Sequence, residues 1–296
     1  MKIFFAGIFV ITSLFFASGC SSIIKSGDAQ VAEDEMHHTN HGHNSHGEHE
    51  GHLKPHTEHS NNSKTTTQAK LIADKKITPN QPVNFEIEIQ DSGGKSVSNF
   101  DNFQEKLMHL IVVRDDLQTF DHLHPNYKNN GRFEVSTSFP SSGNYTLFSD
   151  YKPSGQQEQV SLLKVMIPGQ VPQPIEAQQF NTTKILPNTK VNLKFSEPNL
   201  KAGKEVNLIF DLQDTAKNQP IQDLQPYLGE QGHLVIVKNS SPLTRPDYIH
   251  AHALKNSPTG QINFMTSFPK PGKYKLWVQF NRNGKINTAD FWVNVQ

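Results

Sequence analysis

Cysteine is almost absent from this 296-residue sequence: Cys20 stands alone, so no intrachain disulfide can form and a thiolate cluster for zinc or cuprous copper is excluded. Methionine is also scarce, with five residues, which leaves little for a thioether site. Charge of one sign is missing too. The 28 basic and 28 acidic residues cancel, so nothing suggests a phosphate-backbone partner, and no nucleic acid is expected. No long window shows a helical period. Beyond the first 20 residues no segment approaches the ~20 apolar residues that a membrane span needs. The residue in excess is histidine, with 15.

The chain opens on "MKIFFAGIFVITSLFFASGC", with Lys2, an apolar run from Ile3 to Phe16, and small residues before Cys20. This is the pattern of a secretory signal peptide, residues 1–19. Ending on cysteine, it resembles a bacterial lipoprotein signal, which implies cleavage after Gly19 and a lipidated Cys20. The expectation is an extracytoplasmic protein tethered to a bacterial membrane, at the cell surface or in the periplasm.

Residues 20–68 read as a disordered tether, polar and nearly free of large apolar side chains. As a flexible coil it would hold the folded part on the order of 40 Å from the membrane. Nine histidines lie in it, His37, His38, His41, His43, His46, His49, His52, His56 and His59, separated by Gly, Asn and Glu. That composition suits a low-affinity, multi-site metal collector; a merely solvated linker is the plainer reading.

From about Leu71 the texture changes to short apolar runs broken by Gly, Pro, Asn and Asp, the mark of many short strands. The pattern then repeats. "VNFEIEIQD" (83–91) matches "VNLIFDLQD" (206–214), "MHLIVV" (108–113) matches "GHLVIV" (232–237), and "HLH" (122–124) matches "HAH" (250–252). "TSFPSSGNYTLFSDY" (137–151) matches "TSFPKPGKYKLWVQF" (266–280). The offset stays between 123 and 129, so one domain has been duplicated. The expected organisation is all-β: a first sandwich over 69–170, a proline-rich linker over 171–178, and a second sandwich over 179–296. Length and strand rhythm suit two tandem immunoglobulin-like β-sandwich domains of about seven strands each. Pro140 and Pro269, Gly143 and Gly272, and Tyr145 and Tyr274 are read as scaffold at a strand–turn–strand junction.

The remaining six histidines all fall in matched positions: His109, His122 and His124 in the first copy, and His233, His250 and His252 in the second. No histidine is used elsewhere. His122 and His124 are two apart, so on a strand they share a face. A two-residue turn at Asp115–Asp116 would set His109 directly opposite His122. In the second copy the connection is longer by four residues, an even number, which keeps the same face. Pro246 shows that connection is no tight turn. Each triad therefore reads as a three-imidazole metal site; the plainer reading is half-buried strand histidines copied with their domain. Three imidazoles with an open position suit Cu(II) or zinc, and the Irving–Williams order favours copper. Met108 beside His109 is expected to face away and pack.

With "MHLIVVRDDLQTFDHLHP" and "GRFEVSTSFPSSGNYTLFSDYKPSG" in the first copy, and "LQPYLGEQGHLVIV", "HAH" and "FPKPGKYKLWVQF" in the second, residues 70–296 resemble a group of bacterial extracytoplasmic β-sandwich domains. These occur among proteins assigned to copper and heavy-metal resistance. The resemblance implies an envelope location and a metal context, with a metal transporter or metalloprotein as exchange partner. "HAHA" where the first copy has "HLHP" implies that the two sites differ in detail. The leading expectation is a lipid-anchored metal-binding protein, not an enzyme. The alternatives are a structural or adhesive surface protein with incidental histidines, and a metalloenzyme using an open metal position. Asp150 aligns with Gln279, and Asp121 with Ile249, so no acid or base is shared by both copies.

Overall fold

The computed structural model describes residues 66–73, 77–173 and 180–296. The signal segment, Cys20 and the nine tether histidines, His37 through His59, lie outside the described residues. Among those described, no helix is long and apolar enough to cross a membrane.

The first repeat contains β1 (Thr67–Ala73), β2 (Pro82–Asp91), β3 (Met108–Arg114), β4 (Phe120–Leu123), β5 (Asn126–Tyr127), β6 (Arg132–Ser138), β7 (Gly143–Tyr151) and β8 (Gln159–Ile167). They form two antiparallel sheets, ordered β1-β2-β6-β5 and β4-β3-β7-β8. The second repeat contains β9 (Thr183–Ile185), β10 (Thr189–Phe195), β11 (Glu205–Asp214), β12 (Leu224–Gln225), β13 (His233–Lys238), β14 (Tyr248–His252), β15 (Gln261–Ser267), β16 (Gly272–Arg282) and β17 (Lys285–Val295). Its sheets run β9-β10-β11-β15 and β14-β13-β16, with β17 and the short β12 also paired to β16. Seven strands correspond between copies, and β5, β9 and β12 are additions. The protein is two tandem immunoglobulin-like sandwiches, as the repeat indicated.

Strand periodicity builds each core. In β2, Phe85, Ile87 and Ile89 are buried inward while Glu86 and Glu88 alternate outward; in β11, Val206, Leu208, Phe210 and Leu212 do the same. Tyr145 and Tyr274 are buried, and each hydroxyl donates to the carbonyl four residues back, to Ser141 O at 2.9 Å and Lys270 O at 2.7 Å. This is the tyrosine corner of such sandwiches. Gly143 and Gly272 lead into those strands at φ near +137° and +136°, a region that favours glycine.

A second matched pair, Gly131 and Gly260, sits at φ +75° and +74°, and a Cβ there would lie 2.6 Å from Val97 O and 2.7 Å from Pro220 Cβ respectively. Gly131→Ala and Gly260→Ala are each expected to destabilise by well over ~1 kcal/mol, because strain and collision add. Urea denaturation would read this. A change within ~0.5 kcal/mol at either glycine would refute it.

The strands β3 and β13 are buried on both faces, which explains why "MHLIVV" and "HLVIV" are unbroken apolar runs instead of alternating ones. Met108, Leu110 and Val112 pack into the first sandwich. Ile111 and Val113 point the other way, into a cluster shared between repeats with Leu117, Phe148, Val160, Val235, Val237, Leu243, Tyr248, Trp277 and Trp292. The β4-β3-β7-β8 sheet thus lies face to face with the sheet of β13, β14, β16 and β17. Two ring stacks join them, Phe120 on Trp277 (centroids 4.7 Å) and Phe148 on Tyr248 (4.8 Å). Phe120 corresponds to Tyr248 and Phe148 to Trp277, so exchanging the repeats maps one stack onto the other: the pair has pseudo-two-fold symmetry. Each fully buried side chain here contributes about 1.5–3 kcal/mol relative to exposure.

A six-histidine cluster between the repeats

At one end of this shared face, the alternation that carries Ile111 and Val113 into the interface carries His109 with them, and likewise His233 with Val235 and Val237. Met108, on the opposite face, packs in the first core as expected.

The pairing within the first hairpin differs from the sequence reading. Ile111, not His109, pairs with His122, and Leu110 with Leu123. The turn is longer than Asp115–Asp116: Arg114 N–H donates to Thr119 O across four residues, with Leu117 at φ +60°. The slip is two residues, an even number, so the shared face survives. In the second copy His233 pairs with His252, and Arg245–Asp247 form a short 3-10 turn closed by Asp247, whose carboxylate accepts from Thr244 N–H and Oγ1 at 2.7 and 2.6 Å.

His109, His122 and His124 bring one nitrogen each to within 4.8 Å of the others. The second triad lies against the first, with His109 and His233 stacked at 5.5 Å, His109 and His250 at 5.5 Å, and His122 and His233 at 5.3 Å between centroids. The two triads are therefore one cluster straddling the pseudo-two-fold. His109, His122, His233 and His250 are buried; His124 and His252 are half-buried at its rim. Each copy adds a ring over its first histidine, Phe103 at 4.8 Å from His109 and Tyr227 at 5.8 Å from His233.

Each repeat also reaches into the other's triad. His122 Nδ1–H donates to Gln279 Oε1 (2.7 Å), and the same amide's Nε2 donates to Thr288 Oγ1 (3.3 Å). At the mapped position, His250 Nδ1–H donates to Asp150 Oδ2 (3.0 Å), which also accepts from Tyr248 OH (3.1 Å). Gln104 Nε2 lies 2.5 Å from His252 Nδ1. The sequence alone does not single out Asp150 and Gln279, because the two do not match. Their correspondence at one repeat position, 28 and 29 residues after His122 and His250, was the available signal.

With the Gln279 oxygen facing His122, neutral imidazoles leave one contact of the first triad without a proton. His109 Nε2 faces Phe103 O (3.2 Å), which can only accept, so its proton sits there. His122 has its proton on Nδ1. His109 Nδ1 and His122 Nε2 are then two lone pairs facing each other at 3.0 Å. A proton between them would make a buried cation, and burial opposes that. It pushes His122 down to about 4, His124 down to about 3, and His109 and His233 well below the ordinary range, where the neighbouring histidines press further. A metal about 2.0–2.1 Å from each imidazole nitrogen would hold two donors on the order of 3 Å apart, so the donor set fits one. His124 Nε2 and His233 Nε2, both buried, have no hydrogen-bond partner among the described residues.

The model of a domain of unknown function (DUF8832) matches residues 62–165 and again 184–296. No curated protein matches the sequence. Among solved structures, the Escherichia coli adhesin FdeC is 13% identical over 79% of this chain and 65% of its own, with a TM-score of 0.25. The bacterial integrin-binding protein invasin is 11% identical over 76% and 39%, with a TM-score of 0.23. Domains 4 and 5 of the S-layer protein SbsC are 9% identical over 77% and 97%, with a TM-score of 0.21. The chain thus spans less than two thirds of the FdeC and invasin chains.

Proposed function

Since the chain belongs to the family of the domain of unknown function (DUF8832) and carries that domain twice, we propose a role that its two copies perform together: binding a transition metal between them. The reading rests on the convergence of three imidazole nitrogens within 4.8 Å of one another, those of His109, His122 and His124, with His109 Nδ1 and His122 Nε2 at 3.0 Å. An all-imidazole donor set favours copper, with zinc as the competitor. The nine tether histidines collect metal and pass it to the cluster, and lipidated Cys20 anchors the protein to a bacterial membrane outside the cytoplasm, at the cell surface or in the periplasm. The role is envelope metal homeostasis, by sequestration or by delivery to a transporter or metalloprotein. It is a binding role and not a catalytic one.

The test uses the whole chain with the nine tether histidines replaced by asparagine, titrated with Cu(II) under calorimetry and EPR. Tight uptake with a nitrogen-rich EPR signal is expected, and the further change His124→Ala, at the half-buried rim, removes at least one equivalent or weakens it at least ~10-fold. Stoichiometric uptake that ignores His124→Ala would overturn the assignment.

One observation favours a second reading, a surface protein whose paired sandwiches serve as a rigid module. The bonds from His122 to Gln279 and from His250 to Asp150 tie the two sheets together without any metal. Under that reading the same titration shows no binding above background.

A further inference from the structure

The two triads place their protons differently. In the second, Asp150 accepts from His250 Nδ1–H at 3.0 Å, so His250 Nε2 is a lone pair and accepts from His233 Nδ1–H at 2.9 Å. Each contact in that chain has its proton, and the chain ties the repeats together without an ion. The first triad begins the same way: Gln279 Oε1 accepts from His122 Nδ1–H at 2.7 Å and leaves Nε2 bare. There the match ends. His109 gives its proton to Phe103 O at 3.2 Å, so the 3.0 Å contact between His109 Nδ1 and His122 Nε2 has none. Among the described residues, His109, His122 and His124 are the group whose nitrogens come within 4.8 Å of one another.

A neutral His122 can carry its proton on either ring nitrogen, and only one placement admits a metal. On Nε2 the proton would donate to His109 Nδ1 and close the site. On Nδ1 it leaves Nε2 to the ion. An imidazole ligand is held in the second state when its far N–H donates to a fixed acceptor. Here that acceptor comes from the other repeat, as Gln279 on β16, itself buried. Asp150, at the mapped position, shows that a carboxylate is also accommodated at this place in the fold.

We infer that Gln279 of the second repeat is a positioning residue for the His109–His122–His124 metal site of the first: its oxygen holds the His122 proton on Nδ1 and keeps Nε2 open to the ion. The inference rests on the proposed metal-binding role and adds to it the group that sets the ligand's tautomer. With leucine at 279 nothing holds that proton on Nδ1. It moves to Nε2, bonds His109 Nδ1 and competes with the metal. A glutamate at 279 still accepts from Nδ1–H, so the site stays open.

The experiment uses the whole chain with the tether histidines replaced by asparagine and measures the Cu(II) affinity of the equivalent that His124→Ala removes. Gln279→Leu is expected to weaken it about 10–100-fold, whereas Gln279→Glu binds at least as tightly as the parent. Leu276→Ala, which loosens the second repeat without touching the cluster, leaves the affinity in place and so separates a lost acceptor from a loosened fold. Affinity unchanged by Gln279→Leu would overturn the assignment and leave the metal site standing. So would an equal loss with leucine and glutamate, which would make the packing of the amide the cause and not its oxygen. A parent that takes up no Cu(II) would bring down the metal-binding role itself, and this inference with it. Should the leucine variant fail to fold, proton NMR of the zinc-loaded parent decides. A His122 Nδ1–H that exchanges slowly with water is expected, and one that exchanges as freely as an exposed imidazole would overturn the inference.

Discussion

Taking the metal-free protein from pH 7.5 to pH 5.5 is expected to cost about 4 kcal/mol of stability, a large share of the ~5–15 kcal/mol of a typical fold. His109, His122 and His233 are buried, and all three have protonation depressed below the ordinary 6.5, His122 to about 4. Well above pH 6.5 these groups are neutral folded and unfolded, and contribute no pH dependence. As the pH falls below 6.5 the unfolded chain takes up protons that the folded chain refuses, so stability falls. The loss continues until the folded groups themselves titrate. One unit below 6.5 each histidine costs about 1.4 kcal/mol, and three give the figure above. Urea denaturation at several pH values would measure the slope, and His122→Asn should lower it by one proton. Saturating metal should flatten the curve, because metal and proton compete for the same nitrogens. A metal-free midpoint unchanged between pH 7.5 and 5.5 would mean that the cluster opens to water before it is titrated.

Replacing Trp277 by alanine should cost about 3–5 kcal/mol and, more tellingly, part the repeats. The ring is nearly buried, stacked on Phe120 and surrounded by the shared cluster. Gln279, two residues along the same strand and on the same face, bonds His122. Loosening the interface at Trp277 therefore loosens the histidine cluster as well. Leu276→Ala is the control: it is equally buried on the same strand, but it points into the core of the second sandwich. It should destabilise the second repeat while small-angle scattering still shows a compact pair. Metal affinity should fall with Trp277→Ala and hold with Leu276→Ala below the unfolding midpoint. If both variants behaved alike, the shared cluster would not be what holds the repeats together.

Much of this arrangement was legible in residue order. Alternation in β2 and β11, the offset repeat and the confinement of six histidines to matched positions led to two sandwiches and one face carrying each triad. A two-residue turn at Asp115–Asp116 misplaces the pairing of β3 with β4 by two residues, because the turn hangs on Leu117 at φ +60°. A leucine gives no sign of that conformation, whereas a glycine would have. That the triads meet was not readable, because strand spacing describes one sheet and says nothing of what covers it. The hint lay in "MHLIVV" and "HLVIV", where apolar residues on successive positions require burial of both faces and so a second partner beyond the sandwich's own core. Asp150 and Gln279 act across 100 and 157 residues of chain, on histidines of the other copy. No local pattern could join them.

Exchanging the repeats maps each onto the other, which is the geometry of an isologous homodimer written into one polypeptide. Two identical chains meeting this way could place either two aspartates or two glutamines beside their histidines. The first arrangement buries two negative charges within one small cluster; the second buries none. Covalent fusion lifts that constraint, and this chain uses the freedom at Asp150 and Gln279. A buried carboxylate on one side alone thereby sets the two halves apart, a choice that only a heterodimer or a fused pair can make.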